Sequence, residues 1–153
     1  MKLPALSRRR LLAGAAVVLA LPRLVHAASP MQVWKAPECS CCKDWIAHLE
    51  SKGFSVKVHD GGNTDVRARL RMPLRYGSCH TALIDGYAIE GHVPAREIGR
   101  LLAERPKAVG LAVPGMQIGS PGMDGPAYGG RRDPYDVLLV MNDGSARVYQ
   151  HYA

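Results

Sequence analysis

Three of the chain's four cysteines fall within four consecutive positions, Cys39-Ser40-Cys41-Cys42, and the fourth is Cys79. Two overlapping signals lie in that run. Cys39 and Cys42 have the C-x-x-C spacing of a thiol–disulfide exchange pair, with Lys43 beside them. Cys41 is one sulfur more than such exchange needs. Three thiolates around one helical turn can bridge several soft ions, and thiolate and thioether donors favour Cu(I) among the first-row metals. Two structural disulfides account poorly for the same residues. A bond between adjacent Cys41 and Cys42 is strained, and a structural staple joins distant segments. The clustering points to metal or redox chemistry.

Such residues need a scaffold, and the pattern around them supplies one. Met31 to Ala36 alternates and is β-prone, and Pro37 stops it. From Cys39 to Lys52 the apolar Trp45, Ile46 and Leu49 recur at helical spacing, with Gly53 placed to end the helix. Cys39 thus opens a helix that follows a strand, where unpaired N–H groups and partial positive charge lower a thiol's pKa. Phe54 to His59 alternates again, Asp60-Gly61-Gly62 turns the chain, and Thr64 to Met72 reads as a short helix before Pro73. Cys79 to Asp85 reads as a third strand. The Asp85-Gly86 turn joins it to a fourth, antiparallel strand at Tyr87 to Glu90. A helix to Glu104 follows Pro94, with Ile98, Leu101 and Leu102 inward.

The order β-α-β-α-β-β-α, with the cysteines where the first strand meets the first helix, predicts an α/β fold. It is that of a thioredoxin-like mixed sheet flanked by helices. Lys107 to Pro134 reads as a long loop rich in Gly and Pro that carries Met116 and Met123. Tyr135 to Met141 and Ala146 to Tyr152 read as a C-terminal β-hairpin.

This strand order returns further donors to the cluster. The third strand starts at the end of the sheet where the first finishes, which places Cys79 beside the cysteine run. The fourth runs back, so Gly91-His92 reaches the same edge. Neighbouring strand residues face opposite ways, so Cys79 and His80 can serve one centre only where the strand is irregular. Cys79 is therefore preferred to His80 as the donor from the third strand, and His80 reads as a hydrogen-bonded structural group. Met116 and Met123 are placed to fold over the cluster as a soft lid. His48, His59 and His151 read as surface or core histidines.

The first 27 residues read as an export signal and residues 28–153 as one domain. Ser7-Arg8-Arg9-Arg10-Leu11-Leu12 resembles a twin-arginine start, with a Sec signal as its rival. A modestly apolar run to Leu21 follows, and Val25-His26-Ala27 offers a cleavage site. That run is well short of the roughly 20 residues a bilayer span needs, so no stable span is expected after signal removal. The expected destination is the periplasm. The formal charge of +7 also belongs largely to this segment, and the remainder carries 15 Lys and Arg against 13 acids, a net +2. No basic stripe interleaved with aromatics is present, and nucleic acid is not an expected partner.

Several ordered motifs together resemble the CopG-type family, periplasmic copper-resistance proteins of bacteria that contain a domain of unknown function. They are Cys39-Ser-Cys-Cys42, Ser78-Cys79-His80-Thr81-Ala82, Glu90-Gly91-His92-Val93-Pro94, Val113-Pro114-Gly115-Met116 and Gly119-Ser120-Pro121-Gly122-Met123. The likeness runs from Met31 to Met123, with Gln117 where proline is expected. It implies a thioredoxin-like domain that holds copper as Cu(I), more than one ion, in a cysteine-bridged cluster. It also implies a role in copper resistance and Cu(I)/Cu(II) interconversion, alongside other periplasmic copper-resistance proteins. Carried over by motif, the metal ligands are Cys39, Cys41, Cys42 and Cys79, with His92 and Met116.

Two other functions compete. A thiol–disulfide oxidoreductase would use Cys39 as attacking thiolate and Cys42 as resolving thiol. A zinc-stabilised interaction domain would use the four thiolates, although two separated C-x-x-C knuckles are its usual form. Whether the protein is an enzyme is left open by the motifs, a copper oxidoreductase being the enzymatic form of the first reading.

Overall fold

The computed structural model describes residues 30–153, so the export segment read at 1–27 lies outside the described residues. The elements follow the sequence pattern closely. Strand β1 (Met31–Lys35) leads into helix α1 (Ser40–Ser51), strand β2 (Val56–Asp60) and helix α2 (Thr64–Arg69). A 3-10 turn at Leu74–Tyr76 precedes β3 (His80–Ile84), β4 (Tyr87–Glu90) and helix α3 (Ala95–Glu104). Then come β5 (Gly110–Ala112), a second 3-10 turn at Pro126–Tyr128, β6 (Tyr135–Val140) and β7 (Ala146–Tyr152).

The strands form one mixed sheet in the order β2-β1-β3-β4-β5-β6-β7. β1/β2 and β4/β5 are parallel, and the other neighbours are antiparallel. Lys35, at the end of β1, pairs with His80 at the start of β3, and Glu90, at the end of β4, pairs with Thr81. The end of β1, the start of β3 and the end of β4 therefore meet at one edge. Asp85 and Gly86 both have positive φ, 47° and 87°, as a two-residue hairpin turn of the primed type requires.

Alternation along the strands gives each sheet face its own core. Met31 and Val33 of β1, Ala82 and Ile84 of β3, and Ile89 of β4 bury with Trp45, Ile46 and Leu49 of α1 and Ile98 and Leu101 of α3. The opposite face packs Ala88, Ala112 and Val140 with Met72 and Val109, in the region of α2. Glu90 alternates with Ile89 and faces this second side, where it meets Arg67 of α2.

Two differences from the sequence expectation bear on the site. β3 begins at His80 rather than Cys79, so Cys79 precedes the regular strand. β5 lies inside the stretch expected to be loop. It has only three residues, too few to show a period, and it includes Gly110 at φ +155°. A Cβ there would lie 1.7 Å from the Ala88 carbonyl oxygen, so glycine is what allows β5 to approach β4 so closely.

Candidate metal centre

The cysteine run sits at the N-terminus of α1, where the strand-to-helix connection is tied down from below. Lys35 is buried, and its ammonium donates to the Ala36 carbonyl at 3.0 Å and to Asp60 Oδ1 at 2.8 Å. Cys39 is the residue before the helix and makes no side-chain cap bond. Cys39 and Cys42 are joined by a disulfide, their Cα atoms 5.3 Å apart, and Cys41 and Cys79 are free thiols. Cys41 Sγ lies 3.5 Å from Cys39 Sγ, and Cys79 Sγ lies 3.5 Å from Cys42 Sγ. All four sulfurs fall within 4.8 Å of one another.

Cys79 belongs to a second donor group as well. Its sulfur is 3.1 Å from His92 Nε2 and 3.4 Å from His80 Nδ1, and these three residues also gather within 4.8 Å. Cys79 and His80 could share a centre under strand alternation only if the strand were irregular there, and it is. That rule applies within a strand, and Cys79 lies ahead of one. His80 is fully buried with its ring against Trp45, centroids 4.1 Å apart. Its Nε2 has no hydrogen-bond partner among the described residues.

His92 arrives by a different route. Glu90 faces α2, and Gly91 (φ +70°) turns the chain so that His92 joins the other side. A Cβ on Gly91 would lie 2.4 Å from the Val113 carbonyl oxygen and 2.6 Å from Ser78 Oγ, so the crossing is possible only for glycine. Trp45 Nε1 donates to the Val93 carbonyl at 2.8 Å and anchors the next residue. His92 Nδ1 lies 2.8 Å from the Pro121 carbonyl oxygen. Since a carbonyl only accepts, Nδ1 carries the proton, and Nε2 is left as a lone pair directed at Cys79.

Burial sets the ionisation of this group. It lowers the pKa of His92, partly offset by the Pro121 carbonyl, and holds that of His80 well below the usual imidazole range, with His92 alongside adding to the effect. Both imidazoles are thus neutral donors near pH 7. Burial, and then the neighbouring Cys41 sulfur, push the Cys79 thiol up to about 12. A metal binding there must displace the thiol proton, as soft cations do.

The loop from residue 113 to 134 closes over the first turn of α1. Gly122 (φ +84°) sits so near that a Cβ would lie 2.7 Å from both the Cys41 carbonyl oxygen and the Trp45 nitrogen. Met123 is 6 % exposed, and its sulfur accepts a hydrogen bond from the Tyr128 hydroxyl at 3.1 Å. Met116 is 56 % exposed, although its neighbour Gly115 is bonded to Gly77 and Ser78. The structure therefore brings together Cys39, Cys41, Cys42, Cys79 and His92, adds His80, and leaves Met116 at the surface. His59 stacks on Trp34 on β1, and His48 accepts from the Ala95 N–H.

Sequence reasoning did not find the residues that hold Ser78, the neighbour of Cys79. They are Arg67, Glu90 and Asn63, with Thr81 bonded in turn to Glu90 and Asn63. A single charged residue ending an otherwise apolar strand, Glu90, was the signal present. The donor groups contain sulfur and imidazole but no carboxylate. Such a set suits soft or borderline ions and not calcium or magnesium, which take oxygen donors. Among the described residues, no helix is long and apolar enough to cross a membrane.

A mixed α/β domain that gathers four cysteine sulfurs and two neutral imidazoles at one sheet edge belongs to the soft-metal or thiol-redox proteins. A family model described as a protein of unknown function, DUF411, matches residues 76–123, which span Cys79, His80, His92 and the loop as far as Met123. Two solved structures are similar over most of the chain: copper resistance protein copG in its form 1 and its form 2. Each is 46 % identical with a TM-score of 0.75, and each match covers 82 % of this chain. The matches cover 98 % of the first structure and 100 % of the second. No curated protein matches. At that identity and coverage, the chain belongs to the CopG copper-resistance family.

Proposed function

We propose that the protein binds Cu(I) in a cysteine-bridged site holding more than one ion, and serves copper resistance in the periplasm. The observation that carries this reading is the sharing of Cys79 between two donor groups, four sulfurs on one side and His80 with His92 on the other. A shared thiolate is what a bridged, multi-ion site needs, and the all-sulfur-and-nitrogen donor set fits a soft cation. Cys39, Cys41, Cys42, Cys79 and His92 are the ligands, with His80 completing the second donor group and the exposed Met116 turning inward to supply a thioether from the loop whose Gly115 is tied to Ser78. Residues 1–27 act as the export signal and 28–153 as the mature domain. Other periplasmic copper-resistance proteins are the partners this role implies.

The four-strand unit β2-β1-β3-β4, with α1 between β1 and β2 and α3 after β4, supports a thioredoxin-like reading of the domain. Titration of reduced protein with Cu(I) against a chromophoric chelator tests the metal reading. More than one ion should bind per chain, and Cys41→Ser should lower that number. Unchanged binding in Cys41→Ser would rule out the bridged cluster.

The Cys39–Cys42 disulfide favours a redox component. Two Cu(II) ions oxidising the Cys39 and Cys42 thiols would give one disulfide, two Cu(I) and two protons. Cys41, Cys79 and His92 would then remain as donors for the Cu(I) formed. Anaerobic addition of Cu(II) to reduced protein, with thiols and Cu(I) counted, checks that balance. The same disulfide also fits metal-free thiol exchange, for which insulin reduction without copper is the discriminating assay.

A further inference from the structure

Ser78 and Cys79 enter the site from an irregular segment, yet both backbone groups of Ser78 are gripped by buried side chains. Its N–H donates to Glu90 Oε1 at 2.6 Å. Its carbonyl accepts from an Arg67 terminal nitrogen at 2.6 Å and from Asn63 Nδ2 at 3.2 Å. The holders also hold one another. Arg67 Nε donates to Glu90 Oε1 at 2.8 Å, the Thr81 hydroxyl donates to Glu90 Oε2 at 2.6 Å, and Asn63 Nδ2 reaches Thr81 Oγ1 at 3.1 Å. Glu90 and Thr81 are fully buried and Arg67 nearly so. Asn63 stands at the N-cap position of α2 but makes no cap bond with its side chain; that capacity goes to Ser78 and Thr81.

A buried ion pair is a weak source of stability, because desolvation offsets the attraction. Its use here lies in what it holds. Glu90 and His92 belong to one short run crossing at Gly91, whose missing Cβ lets it press against Ser78 Oγ. The same run thus carries both the clamp on Cys79's neighbour and the imidazole facing Cys79. We propose that the Arg67–Glu90 pair is a positioning device that clamps Ser78 and so sets the Cys79 sulfur against His92 and Cys42. Arg67, Glu90, Asn63 and Thr81 are positioning residues. None of them is a ligand. The consequence for copper rests on the metal reading above, whereas the clamp itself does not.

Two readouts test this on the same variants. In metal-free protein with the Cys39–Cys42 disulfide formed, only Cys41 and Cys79 can be alkylated, so Cys41 serves as an internal reference. Glu90→Gln should raise the Cys79-to-Cys41 alkylation ratio, read by mass spectrometry, and lower Cu(I) affinity of the reduced protein by about tenfold or more. Leu139→Ala on β6, three strands from β3, loses stability without touching the clamp and should move neither quantity. If Glu90→Gln does not fold, Thr81→Val removes only the two hydroxyl bonds, to Glu90 and from Asn63, and should shift both readouts, while Thr81→Ser keeps the hydroxyl and both wild-type values. Either quantity staying at its wild-type value in the folded clamp variants overturns the proposal. If the wild type takes up no Cu(I), the copper reading falls, and the alkylation ratio alone then decides the clamp.

Discussion

At His92 one ring nitrogen is committed to the Pro121 carbonyl and the other faces Cys79 Sγ at 3.1 Å. The ring needs neither a proton shift nor a rotation to donate to a metal beside Cys79. His92→Ala is therefore expected to lower Cu(I) affinity by at least about tenfold, or ~1.4 kcal/mol, measured by competition with a Cu(I) chelator. Trp45 supports the same position from behind. Trp45→Phe leaves the buried Val93 carbonyl without its 2.8 Å donor, which costs ~1–3 kcal/mol, readable as a lower denaturation midpoint. The cysteines and His92 were legible in the sequence because their types carry chemistry wherever they stand. His80 was harder to place. Its nearness to Cys79 depends on the strand starting one residue later than alternation indicates, a boundary that no local pattern marks. Arg67 and Glu90, 23 residues apart, carry no periodic signal that would pair them.

Among the elements, the loop over α1 shows how a glycine can act as a contact surface. Gly122 meets backbone atoms of Cys41 and Trp45, which cannot move aside as a flexible side chain would, and its φ of +84° is itself unfavourable for other residues. Gly122→Ala is expected to destabilise the domain by about 1–3 kcal/mol and to lift the loop from the first turn of α1. Release of Cu(I) to a chelator should quicken, because Pro121, the partner of His92, moves with Gly122. A release rate equal to that of the wild type would show that the loop plays no part in retention. The loop's composition announced its irregularity but not its docking. Gly and Pro content shows where regular structure stops, whereas a close approach depends on which backbone lies opposite. β5 escaped notice for a related reason: Gly110-Leu111-Ala112 becomes a strand through pairing with β4 and β6, not through its own propensity. The first four strands and three helices were legible because their alternating or helically spaced apolar runs, bounded by Gly and Pro, are written locally, even where, as in β3 and β4, both faces are buried.

For the whole molecule, the site couples two binding equilibria to folding. The disulfide closes a loop of sequence separation 3, so in the chain-entropy account breaking it costs at most ~2 kcal/mol. A ligand that binds only the folded state adds RT ln(1 + [L]/Kd), about 2.7 kcal/mol at one hundred times Kd. The sulfurs of α1 and Cys79 near β3 converge only in the folded chain, since 37 residues separate Cys42 from Cys79. Copper that needs both must therefore favour the native state. Three forms should melt in a definite order: reduced metal-free lowest, disulfide metal-free a little higher, and reduced Cu(I)-loaded highest. For a domain of this size the last step is on the order of 10 °C at saturating copper. Differential scanning calorimetry under anaerobic conditions reads all three, and adding a strong Cu(I) chelator should return the third form to the first. Copper that left the melting temperature of the reduced protein unmoved would show that the ions sit on one segment alone, without joining α1 to the start of β3.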